Sequence, residues 1–230
     1  MKLCIIFAIV LKKKMPWNNT HKILFIHIPK TAGSSLETAL EIYGKKEFGY
    51  ETKNGKAIQH YLWKDYKKEY PHIFNTYTKI SIVRNPYTRF LSEYYWCEIE
   101  GVGKKSNQEF DDFLSFAEEV VKGKKYNDSI YHDHFIPQYH FIYDASKQEI
   151  VTDKLFYFEN IDVLKNFLKN QNQKLPHALK TKKNKLVLNQ VQKDRIYKLY
   201  QEDFKILNYK QEFNQENRLI SFIKKLDIIK

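Results

Sequence analysis

Nine consecutive residues, His27-Ile28-Pro29-Lys30-Thr31-Ala32-Gly33-Ser34-Ser35, place a cation, a glycine and three hydroxyls directly behind a nearly unbroken apolar run, residues 23–28 (ILFIHI). Such a run is the pattern of a strand buried on both faces of a parallel sheet. Ser34 then opens a helix carrying Leu36, Ala39, Leu40 and Tyr43, stopped by Gly44. Where a strand passes into a helix, backbone N–H groups without intrahelical partners and the helix dipole attract a phosphate. Lys30 adds a point charge, Thr31, Ser34 and Ser35 add donors, and Gly33 lets the backbone approach closely. A Pro-Lys turn with serine caps would use the same residues. The segment gains its weight from a second one.

That second segment begins with the apolar strand of residues 79–83 (KISIV), which runs into Arg84-Asn85-Pro86. A helix follows from Tyr87 with Phe90, Leu91, Tyr94 and Tyr95. Arg84 as a bidentate fork and Ser92 as a hydroxyl donor can meet on one phosphate. The first loop is not a triphosphate loop of the GxxxxGK[ST] kind, which sets the lysine directly before the serine or threonine that holds magnesium. Here Lys30 precedes Gly33 by three residues. Nor does the second strand end in a magnesium-positioning Asp, since Val83 is followed by Arg84. A P-loop-type kinase or triphosphatase is therefore disfavoured.

With both segments in view, the chain resembles the sulfotransferases that use 3′-phosphoadenosine 5′-phosphosulfate (PAPS), in their carbohydrate sulfotransferase, family 2-like branch. IHIPKTAGSS is similar to the 5′-phosphosulfate loop of that family, and SIVRNPYTRFLSEYY to its 3′-phosphate motif. His134-Phe135-Ile136-Pro137-Gln138, LFYFENID and LYQEDFKILNY extend the likeness over residues 22–209. It implies a P-loop NTPase-like three-layer α/β fold with a central, mainly parallel sheet flanked by helices.

The resemblance also implies roles. Lys30 would stabilise charge on the oxygen bridging phosphate and sulfate. Thr31, Ala32, Gly33, Ser34 and Ser35, with Lys30, would hold the 5′-phosphate, and Arg84 and Ser92 the 3′-phosphate. PAPS serves as co-substrate and no metal is expected. The acceptor is a glycan or another hydroxyl-bearing molecule, whose proton must pass to a base, for which histidine is suited. His60, between the two loops and just before a helix, matches the family's place for that base. His134 or its neighbour His132 is the alternative. The His132/His134 spacing would also suit a metal, but the sequence offers no third ligand. His27 reads as a loop-bracing core residue, and Glu159 as a brace of the site.

The remaining elements frame these loops. Residues 61–70 read as a helix ending before Pro71, and residues 110–121 carry apolar side chains at helical spacing, closed by Gly123. Residues 154–158 (KLFYF) read as a strand, followed by a helix from Ile161 and a last long helix over residues 190–207. Strands alternating with helices give an α/β fold. No linker or repeat interrupts residues 22–209, which leaves residues 1–21 as an N-terminal extension and residues 210–230 as a C-terminal helical tail.

The chain has 230 residues, 43% hydrophobic and 16% aromatic, enough for one packed core. Its net charge of +12 favours anionic partners. Nucleic acid is disfavoured because no recognisable nucleic-acid module appears and the two loops would go unexplained. Only Cys4 and Cys97 occur, which excludes a disulfide framework and fits a reducing compartment. A cytoplasmic enzyme of bacterial type is the expectation. The apolar run of residues 3–11 falls short of the roughly 20 residues of a spanning helix, and leaves a membrane association open.

Overall fold

The computed structural model describes residues 15–42, 52–53, 56–100, 110–123, 133–176 and 186–212. A four-stranded sheet forms its centre: β1 (Trp17–Asn18), β2 (Ile23–Phe25), β5 (Thr78–Val83) and β8 (Lys154–Tyr157), in that spatial order. β2, β5 and β8 run parallel, and β1 pairs with β2 antiparallel. Two small antiparallel hairpins lie apart from it, β3 (Thr52–Lys53) with β4 (Lys56–Ala57) and β6 (Tyr143–Asp144) with β7 (Glu149–Ile150).

The two-residue period of a strand sorts the core into two layers. Ile23 and Phe25 of β2, with Ile80 and Ile82 of β5 and Phe156 of β8, face α1 (Gly33–Ala39) and α7 (Ile161–Lys169), meeting Leu36, Leu40, Leu164 and Leu168. Leu24, Ile26, Ile28 and Val83 face the other way. They pack with Tyr66 of α2 (Trp63–Glu69), Phe74 of α3 (Pro71–Thr76) and Phe141 and Ile142 of α6 (Tyr139–Ile142). Each fully buried aliphatic or aromatic side chain contributes about 1.5–3 kcal/mol, so this sandwich holds the sheet rigid under the site.

A third cluster joins α4 (Pro86–Glu100), α5 (Phe110–Val121), α8 (Gln190–Leu199) and α9 (Gln201–Ile206) around Phe90, Phe113, Phe135, Tyr200 and Phe204. The chain is thus an α/β protein with a mainly parallel sheet flanked by helices, as expected.

Three boundaries differ from the sequence reading. Regular pairing of the first buried strand ends at Phe25, although Ile26 N–H still donates to Ile80 O at 2.9 Å. The helix expected over residues 61–70 is shorter, and Pro71 immediately starts another as its N1 residue, where its missing N–H has no cost. The long closing helix is two helices that meet at Tyr200, whose backbone leaves the helical region (φ −119°, ψ 27°). The Tyr200 hydroxyl donates to Phe135 O at 3.2 Å, and that anchor turns the chain. Tyr43, Gly44, Cys4, His132 and most of the C-terminal tail lie outside the described residues. Among the described residues no helix is long and apolar enough to cross a membrane.

Candidate active site

Because β2 and β5 are parallel neighbours, the segments that follow them emerge side by side at the carboxyl edge of the sheet, where open α/β sheets bind ligands. The first segment is shaped by two left-handed residues, Lys30 (φ 67°) and Ala32 (φ 76°), on either side of Thr31. Left-handed backbone at non-glycine residues costs about 1–3 kcal/mol each and is typical of ligand-binding loops. Left-handed residues of this kind are found where successive backbone N–H groups form an anion nest, and Ala32 is the N-cap of α1.

The three hydroxyls of this loop differ. Thr31 is fully buried and donates to Ile28 O at 2.8 Å, so its hydroxyl proton is committed to the turn. Ser34 is exposed. Ser35 is 2% exposed, and its Oγ has no hydrogen-bond partner among the described residues. A buried hydroxyl left unsatisfied costs about 1–3 kcal/mol. Its position on the first turn of α1 is where an anion would satisfy it.

Gly33 has an ordinary backbone; what it lacks is a side chain. A β-carbon there would fall 1.9 Å from His27 Nε2, so the His27 ring packs directly against the loop. His27 Nδ1 donates to Glu37 Oε1 at 2.7 Å, and Gln59 Nε2 donates to both Glu37 oxygens at 2.6 and 2.8 Å. This makes His27 the brace of the loop, as its buried setting suggested.

Arg84 joins the two segments. Its Nη1 donates to Lys30 O at 3.0 Å, its Nε donates to Thr88 Oγ1 at 3.1 Å, and its guanidinium lies 4.2 Å from the Phe158 ring centre. Thr88 and Ser92 follow Arg84 at intervals of four residues along α4, and all three are buried. Glu159 accepts from Asn85 N–H at 2.9 Å, bracing the turn after β5.

Arg89, Glu93 and Gln138 lie inside the motifs quoted above, and Trp96 directly after one, but the sequence alone assigned none of the four a role. Arg89 donates through Nε to Pro29 O (3.1 Å) and through Nη2 to His134 O (2.7 Å) and Ile136 O (3.1 Å), tying the first loop to the segment before α6. Lys30 Nζ stands 4.6 Å from the Trp96 ring centre, and the His134 ring stacks on the same indole at 4.9 Å. Gln138 pairs with the Arg84 backbone in both directions, at 2.9 and 2.8 Å, and its own N–H donates to Asp203 at 2.9 Å. Burial pushes the Asp203 carboxyl up to about 6 despite Arg89 and these donors. Arg89, Ser92, Glu93 and Trp96 repeat at i, i+3, i+4, i+7. That helical spacing, which puts Arg89, Glu93 and Trp96 on the face of Ser92, was the signal available for three of them.

The histidines form an array. The His60 ring meets His27 edge-on at 4.9 Å and His134 edge-on at 5.2 Å. Each ring holds a carboxylate at Nδ1: His27 has Glu37, His60 has Asp133 Oδ2 at 2.6 Å, and His134 has both Glu93 oxygens at 3.0 Å. Burial pushes all three carboxyls up, but their histidine partners outweigh it and hold each below the ordinary value, helped at Glu93 by Lys30 and Arg89. His60, Asp133 and His134 could together hold a metal ion. At 2.6 Å, however, His60 Nδ1 and Asp133 are at hydrogen-bond separation, shorter than the roughly 3.3 Å between two ligands on one tetrahedral zinc.

A parallel sheet with two basic loops at its carboxyl edge and carboxylate–histidine pairs beside them sets these side chains where open α/β sheets bind ligands. The model of the sulfotransferase family matches residues 14–210, and the chain belongs to that family and transfers sulfo groups. No curated protein matches the chain in sequence.

Proposed function

We propose that this sulfotransferase takes its sulfo group from PAPS and delivers it to a hydroxyl of a carbohydrate acceptor. The observation that carries the donor assignment is the junction of Arg84 with Lys30 O, which holds a loop fit for a phosphosulfate beside one fit for an isolated phosphate. The orphaned Ser35 hydroxyl fits the same reading, since it is a buried donor on the first turn of the helix behind the anion nest. In this reading Lys30, Thr31, Ala32, Gly33, Ser34 and Ser35 bind the 5′-phosphosulfate. Thr31 contributes its backbone, because its hydroxyl proton is engaged. Arg84 and Ser92 bind the 3′-phosphate.

In the reaction, the acceptor oxygen forms a bond to sulfur while the bond from sulfur to the bridging oxygen breaks. Lys30 stabilises the charge arriving on that bridging oxygen. The acceptor proton passes to His60, and since Nδ1 is engaged by Asp133, the exchange takes place at Nε2. The catalytic domain in this reading spans residues 22–209. A carbohydrate acceptor is favoured by the family branch the motifs resemble and by the +12 charge, which suits anionic glycans.

Incubation with labelled PAPS and a panel of glycans, followed by mass spectrometry, tests the acceptor. Thermal-shift protection tests the donor. Protection by 3′-phosphoadenosine 5′-phosphate (PAP) but not by ATP is expected, and equal protection by ATP would overturn the donor assignment.

A further inference from the structure

We infer that Asp133 is a positioning residue for sulfo transfer, one that fixes His60 with its proton on Nδ1 and steadies the imidazolium formed when Nε2 takes the acceptor proton. The inference rests on His60 being the base, and it assigns a role to a residue 73 positions away in the chain.

Geometry carries it. Asp133 Oδ2 lies 2.6 Å from His60 Nδ1, and the two side chains are only 20% and 9% exposed. At that degree of burial a charge-assisted hydrogen bond is worth more than at the surface, and its direction determines which nitrogen bears the proton. Asp133 Oδ1 is buried and has no hydrogen-bond partner among the described residues, and Oδ2 accepts from the imidazole. An aspartate left with one uncompensated oxygen costs stability, which is the pattern of a residue retained for chemistry. The edge-on contacts with His27 and His134 hold the ring from both sides.

The other two pairs have different work. Glu37 and His27 are locked beneath Gly33, with Gln59 on the same carboxylate. Glu93, on α4, holds His134 of the segment before α6 against Trp96, beside Lys30. Among the described residues, the charged or titratable groups beside His60 include Asp133, the two histidines and Glu37.

The proton balance is simple. The acceptor O–H bond breaks as the O–S bond forms, the proton moves to Nε2, and Asp133 stays ionised throughout. After release of the products the proton leaves to solvent. Asp133 acts as the carboxylate does in a serine-protease triad, by orientation and charge.

The test is Asp133→Asn, which keeps an acceptor for Nδ1–H but removes the charge. Expected is a fall in kcat of about 10²–10⁴-fold with KM for PAPS and affinity for PAP within twofold. Without the nearby charge the imidazolium is less favoured, so the acid limb of the kcat–pH profile should move to lower pH. A residue with a merely structural role would not move that limb. Near-wild-type kcat with an unmoved acid limb in Asp133→Asn, beside an inactive His60→Ala, would refute the role of Asp133 and leave His60 as base. Full turnover in a His60→Ala protein that binds PAP would instead remove the base itself. Should Asp133→Asn fail to bind PAP, ¹⁵N-histidine spectra of the wild-type protein decide, with the His60 signals assigned by their loss in His60→Ala. An Nδ1–H tautomer supports the inference and an Nε2–H tautomer overturns it.

Discussion

The His27 ring occupies the place a side chain at Gly33 would need, with Nε2 lying 1.9 Å from where a β-carbon would stand. The conflict involves a ring fixed by Glu37 rather than a flexible chain end. Gly33→Ala should therefore destabilise the protein by about 1–3 kcal/mol or more, read by urea denaturation. Combining it with His27→Ala frees the space, and the double variant should cost clearly less than the sum of the singles. Strict additivity would show that the two residues do not compete for one volume.

The two loops at the sheet's carboxyl edge, the parallel strands and the helices after them were legible because strand-to-helix passages leave local signatures: apolar runs, Pro, Gly and N-cap residues. His27 was legible as a brace, but its contact with Gly33 was not, since it depends on a left-handed loop path that Lys30 and Ala32 do not announce. The Asp133–His60 and Gln138–Arg84 pairs link segments far apart in the chain, and no local pattern encodes them. The break at Tyr200 was hidden for the same reason, because a helical pattern continues through a residue whose hydroxyl is held by Phe135.

Lys30 and Arg84 should separate chemistry from binding. Lys30→Ala removes the cation proposed to stabilise the bridging oxygen, so turnover should be lost while PAP affinity falls much less. Arg84→Ala removes charge-assisted hydrogen bonds of about 1.5–3 kcal/mol, so PAP should bind roughly 10–150-fold more weakly by calorimetry. Unchanged PAP affinity in the Arg84 variant would sink its assignment to the 3′-phosphate.

Arg89 is only 3% exposed and satisfies three carbonyls from two segments. Lysine keeps the charge but not the fork, and leaves buried carbonyls unpaired. Arg89→Lys should lose about 2–4 kcal/mol, or roughly 5–15 °C in Tm for a chain of this size. A Tm within two degrees of wild type, by differential scanning calorimetry, would contradict the role assigned to the fork.

Glu93 gives the fold a pH dependence with a definite sign. Burial raises its carboxyl, yet His134, Lys30 and Arg89 hold it below 4.5 in the folded state. Unfolding raises that pKa, so the stabilisation is complete above about pH 4.5 and disappears as pH falls through the lower folded value. The unfolding free energy of the wild type should thus drop more steeply between pH 5 and pH 3 than that of Glu93→Gln, and the two curves should converge at the acid end. Parallel curves would mean that the Glu93 carboxylate is not stabilised by its neighbours.

Ser35 offers the sharpest separation of stability from function. Its hydroxyl is buried without a hydrogen-bond partner among the described residues, which costs desolvation. Ser35→Ala removes that cost without opening a sizeable cavity, and unliganded stability should stay level or rise by up to about 1 kcal/mol. In the proposed function the same hydroxyl donates to the phosphosulfate, an interaction of about 1.5–3 kcal/mol. The variant should therefore bind PAP roughly tenfold or more weakly while melting at or above the wild-type temperature without ligand. Opposite signs in the two measurements are what a binding hydroxyl requires. A loss of stability with unchanged PAP affinity would instead make Ser35 a packing residue of α1.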